Sequence, residues 1–169
     1  MRHTKKLTAA ALAGMLGAMS LFSSVTAYAA TGWQQSGSTY YYYDANGTLH
    51  KGWLNTDNGY YYLNLSTGKM TVGWEKINNK WYYFQGNGVM ATGWVKDNGK
   101  YYYMLTDGTM HTGWVSIDNV YYYLSDSGAM ATGWVNMDNG WYYFDPDNGQ
   151  CTVNSARAIK DSWYMFGND

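Results

Sequence analysis

Residues 73–92 read GWEKINNKWYYFQGNGVMAT, and the chain carries this pattern six times. Each copy opens with a Gly-Trp pair, and successive pairs lie 20 or 21 residues apart. The tryptophans of these pairs are Trp33, Trp53, Trp74, Trp94, Trp114 and Trp134. Self-similarity at a period of this length predicts an array in which each unit buries its apolar surface against its neighbours.

Two further features recur at fixed places in every copy. An aromatic triplet begins seven residues after the tryptophan, and a glycine with an apolar residue two positions later closes the unit. The first rings of the triplets are Tyr40, Tyr60, Trp81, Tyr101, Tyr121 and Trp141. The closing residues are Leu49, Met70, Met90, Met110, Met130 and Cys151. Because aromatic residues make up 19% of the chain, the rings must fill the core, line binding surfaces, or do both.

Each copy has the pattern of a β-hairpin. In the fourth copy, residues 93–96 and 101–104 are the predicted strands, and Asn98-Gly99 between them is typical of a two-residue turn with positive φ. A lone two-stranded hairpin is marginal in water, so stability must come from stacking. The sequence therefore predicts an all-β solenoid of stacked two-stranded β-hairpins, with six repeats of about 20 residues and a degenerate C-terminal cap.

The glycines have two expected roles in this fold. Asn58-Gly59 and Asn139-Gly140 repeat the Asn-Gly signal, so they are expected to form the same turn. The glycine before each tryptophan is expected to let another backbone approach closely, because it has no side chain.

The chain divides into three predicted segments. Residues 1–29 have a basic start, an apolar run of 16 residues and the end motif Ala-Tyr-Ala, which is the pattern of a cleaved secretory signal peptide. The apolar run is shorter than the roughly 20 residues that span a bilayer, so no transmembrane segment is expected. Residues 30–153 hold the six repeats. Residues 154–169 are expected to form a degenerate capping repeat, because four large apolar residues from Trp163 onward would otherwise lie exposed.

Cleavage of the signal peptide would change the charge of the chain. Three of the 11 basic residues would be removed and none of the 12 acidic ones, which leaves a net charge of −4. Nucleic acids and anionic membranes both bind proteins through basic surfaces, so neither is an expected partner. Cys151 is the single cysteine of the sequence, so an internal disulfide is excluded.

The sequence has no residues with the spacing of a catalytic or metal site. His50 and His111 occupy the same repeat position as Ala91 and Ala131, which indicates exposed residues rather than ligands or bases. The aspartates lie in turns beside glycine, where turn chemistry explains them, and none follows EF-hand spacing. The sequence therefore predicts a protein that is not an enzyme and has no metal or cofactor.

The rings and methionines together are suited to an organic cation. Aromatic faces are negative, and a quaternary ammonium costs little to desolvate because it donates no hydrogen bonds. Each cation–π contact contributes roughly 0.5 to 2 kcal/mol. Three rings then give a site of about −4 kcal/mol, which is millimolar. Weak sites in a row are useful against a polymer that displays many ligands, where avidity adds about 10² to 10⁴.

The pattern of Gly-Trp, six residues, [Trp/Tyr]-Tyr-Tyr and Gly-x-Met resembles the choline-binding, or cell-wall-binding, repeats of Gram-positive surface proteins, and it covers nearly all of residues 31–153. The resemblance implies a left-handed β-hairpin solenoid. It also implies choline cages between consecutive repeats, each built from two rings of one unit, one ring of the next and a methionine. Carried onto this sequence, the cages are Trp53, Tyr60, Tyr83 and Met70; Trp74, Trp81, Tyr103 and Met90; Trp94, Tyr101, Tyr123 and Met110; and Trp114, Tyr121, Tyr143 and Met130.

The resemblance also implies a place and a partner for the protein. It implies non-covalent attachment at the cell surface through a choline-decorated wall polymer of the teichoic or lipoteichoic acid type. With the signal peptide and the missing catalytic spacing, the sequence predicts an exported, non-catalytic module. Leu49 and Cys151 stand where other repeats have Met, so no complete cage is expected at the two ends.

Two alternatives and one further partner stay open. The same superfamily includes glucan-binding and clostridial-toxin repeats, whose rings would stack on sugars. The rings could instead be core alone, in a surface scaffold without a small ligand. A second copy of the chain, in a homodimer, is a further candidate partner.

Overall fold

The computed structural model describes residues 30–167, in which every strand is five residues long. The first seven strands are β1 (Gly32–Ser36), β2 (Thr39–Tyr43), β3 (Gly52–Thr56), β4 (Gly59–Leu63), β5 (Gly73–Ile77), β6 (Lys80–Phe84) and β7 (Gly93–Asp97). The other seven are β8 (Lys100–Met104), β9 (Gly113–Ile117), β10 (Val120–Leu124), β11 (Gly133–Met137), β12 (Gly140–Phe144), β13 (Ser155–Ile159) and β14 (Ser162–Phe166). They pair as seven antiparallel hairpins, each a two-stranded sheet of its own. The predicted all-β solenoid of hairpins is confirmed.

Two predictions concern segments that could meet a membrane. The signal peptide predicted for residues 1–29 lies outside the described residues. In the part of the chain that is described, no helix is long and apolar enough to cross a bilayer.

Consecutive hairpins are joined through the closing residue of each repeat. In the fourth repeat, Met110 forms an isolated bridge with Met104 of its own hairpin. Its N–H also donates to the carbonyl oxygen of Trp81 in the preceding hairpin, at 2.8 Å. The same crossing hydrogen bond, at 2.7 to 2.9 Å, is made by Met70, Met90, Met130 and Cys151. Each repeat is therefore fixed to its neighbour by its own closing residue, as a one-dimensional array requires.

The core is a row of side chains, one per repeat, placed directly after the aromatic triplets. The largest fully buried side chains are Leu63, Phe84, Met104, Leu124 and Phe144. Phe84 packs against the preceding repeat, where its ring centre lies 5.8 Å from that of Trp53 and 6.3 Å from that of Tyr62. The core thus lies between repeats rather than inside any one of them, which explains why the hairpins depend on stacking.

The predicted Asn-Gly turns fall in two classes. The turn at Asn98-Gly99 is confirmed, with φ of 47° and 78°. The second strand of repeat 2 begins at Gly59 itself, so its loop is Asp57-Asn58, and repeat 6 has the same shift. The prediction that Asn-Gly would centre these two turns was wrong. The loop starts four residues after the tryptophan in each of these repeats, so the strand length fixes its position.

The glycine before each tryptophan has a different role from the one expected. A Cβ atom added at Gly73 would meet no atom within 4 Å, so no other backbone approaches there. Its φ is +80°, which side-chain-bearing residues rarely adopt. Glycine is needed at this position because the chain turns sharply into each hairpin.

The terminal segment forms a seventh hairpin but does not bury its apolar row. Trp163 and Met165 are 76% and 83% exposed. Tyr164 packs on Trp134 of the sixth repeat, with ring centres 4.8 Å apart. The expectation that this row is buried was wrong for most of its length, and the role of residues 154–169 as a cap stays a prediction.

Arg157 ties the seventh hairpin to the sixth repeat, and its removal is a test of that attachment. Its guanidinium pairs with Asp145 and lies 5.1 Å from the ring centre of Tyr143. The hydrogen bond from Arg157 holds the pKa of Asp145 below its ordinary value of 3.8. A carboxyl whose pKa is lowered stabilises the fold above its unfolded pKa, and this contribution is lost as pH falls through the folded pKa.

We expect Arg157→Ala to destabilise the protein by about 1 kcal/mol at pH 7. The difference from the parent protein should shrink as the pH falls through the pKa of the folded Asp145, which lies below 3.8. Thermal melts at a series of pH values, from neutral into the acid range, check this. The exposed Lys100→Ala is the control, and an equal effect of the two variants would contradict the assigned role of Arg157.

Candidate ligand sites between repeats

Each hairpin has two faces with different side chains. In the third repeat, antiparallel pairing places Trp74 directly opposite Tyr83, and Trp81 lies two positions before Tyr83. Because strand residues alternate between faces, these three share one face, which we call the front face. Tyr82 and Phe84 lie on the other, the back face. The front face of each hairpin meets the back face of the next.

A tryptophan of one repeat contacts the middle ring of the next repeat across this junction. The ring centres of Trp74 and Tyr102 are 4.8 Å apart, with their planes at 69°. Such edge-to-face geometry is the favoured arrangement of aromatic pairs. A contact at 4.8 to 5.0 Å recurs at the other junctions, in the pairs Trp33–Tyr61, Trp53–Tyr82, Trp94–Tyr122, Trp114–Tyr142 and Trp134–Tyr164.

Open pockets lie at three of these junctions, and we number each by the repeat that supplies its tryptophan. Site 1 is formed by Trp33, Tyr40, Tyr61 and Met70. Site 2 is formed by Trp53, Tyr60, Tyr82 and Met90. Site 4 is formed by Trp94, Tyr101, Tyr122 and Met130. Their volumes are about 340, 390 and 340 Å³ respectively, at the low end of the roughly 300 to 1,000 Å³ typical of small-molecule sites.

The methionine of each site comes from the second of the two repeats. The N–H of Met90 donates to the carbonyl oxygen of Tyr60 at 2.7 Å, which places the thioether beside the rings of the preceding hairpin. Trp53 and Tyr60 remain 38% and 49% exposed in the resulting pocket. A polarisable wall and two accessible rings therefore face the same space.

The structure groups the predicted cage rings differently from the sequence analysis. The predicted tryptophans and first rings do meet, as Trp53 with Tyr60, Trp94 with Tyr101, and Trp74 with Trp81 at 6.4 Å. The predicted crossing rings do not cross, because each packs on the tryptophan of its own repeat at 5.0 to 5.4 Å. These rings are Tyr83, Tyr103, Tyr123 and Tyr143. The third ring of each aromatic triplet shares the front face with the tryptophan of its own repeat. The middle ring of the triplet is therefore the one that reaches the preceding repeat.

The methionines are displaced by one site from the predicted sets. Met70 belongs to site 1, Met90 to site 2 and Met130 to site 4. At the third junction, the N–H of Met110 donates to the carbonyl oxygen of Trp81. The cause is the crossing hydrogen bond, which joins each closing residue to the preceding hairpin. At the fifth junction the same bond joins Cys151 to Tyr121 of the predicted Trp114 set. That these sets bind a ligand stays a prediction, since the correction concerns which side chains meet.

The two ends of the array differ in whether a methionine is present. Site 1 is complete because its methionine is Met70, so the expectation that Leu49 would spoil the first site was wrong. Leu49 instead packs against Gly68 in the next turn. At the fifth junction Cys151 does take the methionine's place, and burial raises the pKa of its thiol. This thiol is therefore neutral at pH 7.

Several site residues were missing from the sequence prediction. They are Trp33, Tyr40, Tyr61, Tyr82, Tyr102, Tyr122 and Tyr142. The signal that identifies the middle rings was present, because residues two apart share a face and stacked hairpins meet front to back.

Charged groups differ from one site to another. The ammonium of Lys96 lies 5.0 Å from the ring centre of Tyr101 at site 4. At site 2, Asp107 lines the pocket, and the hydroxyl of Thr109 holds its pKa below the usual range. Burial raises the pKa of Tyr82, and the charge of Asp107 raises it further. The repeats are therefore not electrostatically equivalent.

The histidines have a structural role. The ring of His111 bonds to the carbonyl oxygen of Trp114 at 2.9 Å, and His50 bonds to that of Trp53 at 3.0 Å. Both are half-buried, so the expectation that they are exposed was wrong. Among residues 30–167, no group of three or more potential metal-ligating side chains comes together.

The family model described as the choline-binding repeat matches residues 30–72, 71–112 and 111–155. The chain belongs to the choline-binding repeat family. The matched residues contain all six Gly-Trp units, so the family assignment and the stacked hairpins describe the same part of the molecule. No curated protein matches the sequence.

Three solved structures share this fold. CbpJ from Streptococcus pneumoniae TIGR4 is 38% identical over 82% of this chain, with a TM-score of 0.77. Choline binding protein F from Streptococcus pneumoniae, solved in the presence of a peptidoglycan analogue, is 37% identical over 80% of this chain, with a TM-score of 0.74. A multimodular pneumococcal cell wall endolysin from phage Cp-1, complexed with choline, is 38% identical over 68% of this chain, with a TM-score of 0.52. The matches span 50%, 49% and 34% of those chains.

Proposed function

We propose that this chain is an exported, non-catalytic module that binds choline carried on a cell-wall polymer. The observation that supports it is site 2, where Trp53, Tyr60, Tyr82 and Met90 line one cavity of about 390 Å³. The rings present negative faces to a trimethylammonium group, and the thioether completes an apolar wall. The endolysin that is 38% identical over 68% of this chain was solved in complex with choline, which supports the same ligand here.

The partner is a polymer because the sites are weak and repeated. A single cage of three rings gives roughly millimolar affinity. Sites 1, 2 and 4 recur along one array, so a choline-bearing wall polymer of the teichoic or lipoteichoic acid type engages several at once. Such avidity adds about 10² to 10⁴ to the affinity without any new contact. The signal-like residues 1–29 and the family of the chain support attachment at the cell surface.

We expect choline to raise the thermal unfolding midpoint of the protein. A ligand that binds only the native state at ten times its Kd contributes about 1.4 kcal/mol per site. Several sites together should raise the midpoint by about 5 °C or more. The measurement is a melt with increasing choline, and tetramethylammonium, NaCl and an α-glucan oligosaccharide are parallel titrants.

The four titrants separate the candidate functions. A rise with choline and tetramethylammonium, absent with NaCl, supports cation cages. A rise with the glucan alone would replace the choline proposal with sugar binding. If no titrant changes the midpoint, the rings are core alone and the proposal is wrong.

A further inference from the structure

Each ligand pocket extends over three consecutive repeats. Site 2 takes Trp53 and Tyr60 from one repeat and Tyr82 from the next, but Thr106 and Asp107 of the repeat after that also line it. Site 1 reaches Gly86 and Asn87 in the same way, and site 4 reaches Asp147 and Asn148. The turn two repeats ahead is therefore a further wall of the pocket, in addition to the rings and the methionine.

This wall is held against the site by the methionine. A Cβ atom at Gly108 would overlap the sulfur of Met90, so the turn that contains Asp107 packs directly on the thioether. The same contact joins Gly88 to Met70 at site 1 and Gly149 to Met130 at site 4. The position of the turn relative to the pocket is thus the same at all three sites.

The residue before this glycine accepts the same backbone hydrogen bond at sites 1 and 2 but has a different charge. Oδ1 of Asn87 accepts the N–H of Val89 at 3.1 Å, and Oδ1 of Asp107 accepts the N–H of Thr109 at 2.9 Å. The two side chains therefore share one local bond, and Asp107 also accepts the hydroxyl of Thr109 at 2.6 Å. Site 1 has a neutral amide where site 2 has a carboxylate.

Site 4 differs again, because its charges have opposite signs. Its turn has Asn148 before the glycine, whose Oδ1 accepts the N–H of Gln150 at 2.9 Å, and Asp147 lies one position earlier. Lys96 is placed over Tyr101 on the opposite strand. At site 2 the residue that corresponds to Lys96 is the neutral Asn55. Of the three pockets, site 2 thus has an acidic wall and no lysine opposite its first ring. The charge of Lys80 acts on Asp107 and contributes to its lowered pKa.

We propose that the turn two repeats ahead sets the charge preference of each site, and that Asp107 makes site 2 the most cation-selective of the three pockets. The inference rests on the proposed function, since it assigns unequal roles to sites that bind the same cation. A carboxylate at the rim attracts a quaternary ammonium without needing a hydrogen bond from it, and does not favour a neutral ligand of the same shape.

The test compares choline with 3,3-dimethylbutan-1-ol, its neutral isostere, in the full protein. The indole N–H resonances of Trp33 and Trp53 report sites 1 and 2 separately in NMR titrations. We expect Asp107→Asn to weaken choline binding at Trp53 about two- to five-fold, as for a solvent-exposed ion pair. Binding of the neutral alcohol should not change. Asn87→Asp should strengthen choline binding at Trp33 by a similar factor, and both effects should decrease with added salt.

The reciprocal design separates the possible failures. Asn is already compatible with this turn at position 87, so Asp107→Asn should fold, and an unchanged ligand-free indole shift of Trp94, which lies in the same repeat as position 107, confirms it. If Asp107→Asn weakens the binding of choline and of the alcohol equally, or changes the binding of neither, the inference is wrong while the proposal of choline binding stands. If choline shifts neither indole resonance in the parent protein, the proposed function fails and the inference fails with it.

Discussion

Phe84→Ala is expected to destabilise the protein by about 3 to 5 kcal/mol, which is the usual effect of emptying a buried phenylalanine site. Phe84 is completely buried and forms one cluster with Tyr62 and Ile77. Its ring lies 5.8 Å from that of Trp53, so the cavity would open between repeats 2 and 3. Because each repeat is stable only through its contacts with neighbouring repeats, loss of the Phe84 contacts is expected to uncouple repeats 1–2 from the repeats that follow.

The predicted signature is therefore a change in cooperativity as well as in stability. Urea unfolding followed by near-UV circular dichroism should give two transitions for Phe84→Ala and one for the parent protein. Phe84→Leu is the matched control, because Leu124 fills the same place in the fifth repeat. It should cost less than about 1.5 kcal/mol. A single, unshifted transition for Phe84→Ala would contradict a core that lies between repeats.

The sequence was sufficient for the fold because its repeat leaves few alternatives. The period and the hairpin in each unit were visible in residues 73–92, and the structure repeats them along the described chain, whereas the turns of repeats 2 and 6 were misplaced by one residue. What could not be read directly was the way in which consecutive hairpins meet. Once Tyr102 is known to face Trp74, the third ring Tyr103 is excluded by strand alternation. The error in the predicted cages thus concerned which side chains of consecutive repeats touch. It assigned every methionine to the site after the one to which it belongs.

The third wall of each pocket, which is the turn two repeats ahead of the tryptophan, could not be predicted from a sequence pattern. Asp107 is separated from Trp53 by more than two periods, and turn chemistry alone explains an aspartate before glycine. The contact became visible only through the packing of Gly108 on Met90. Long-range placement in an array depends on small rotations between units, which local propensities do not specify.

Gly108→Ala is expected to destabilise the protein more than Gly73→Ala, although both glycines have the same φ of +80°. A left-handed conformation costs an alanine about 1 to 2 kcal/mol at either position. At Gly73 the new methyl group meets no atom within 4 Å, whereas at Gly108 it overlaps the sulfur and terminal methyl of Met90. The end of this flexible side chain can shift, so we expect the overlap to add about 1 kcal/mol, the low end of the usual cost of overpacking. Chemical denaturation of the two variants measures the difference.

The same substitution should also damage site 2, because Met90 is one of its walls. Choline binding reported by Trp53 should weaken in Gly108→Ala and stay unchanged in Gly73→Ala. A double-mutant cycle with Met90→Ala identifies the cause, since removing the thioether removes the overlap. Gly108→Ala and Met90→Ala should then be non-additive in stability, while Gly73→Ala and Met90→Ala should add within about 0.5 kcal/mol. Additivity in both cycles would show that the turn does not press on Met90, and the wall that Asp107 brings to site 2 would lose its support.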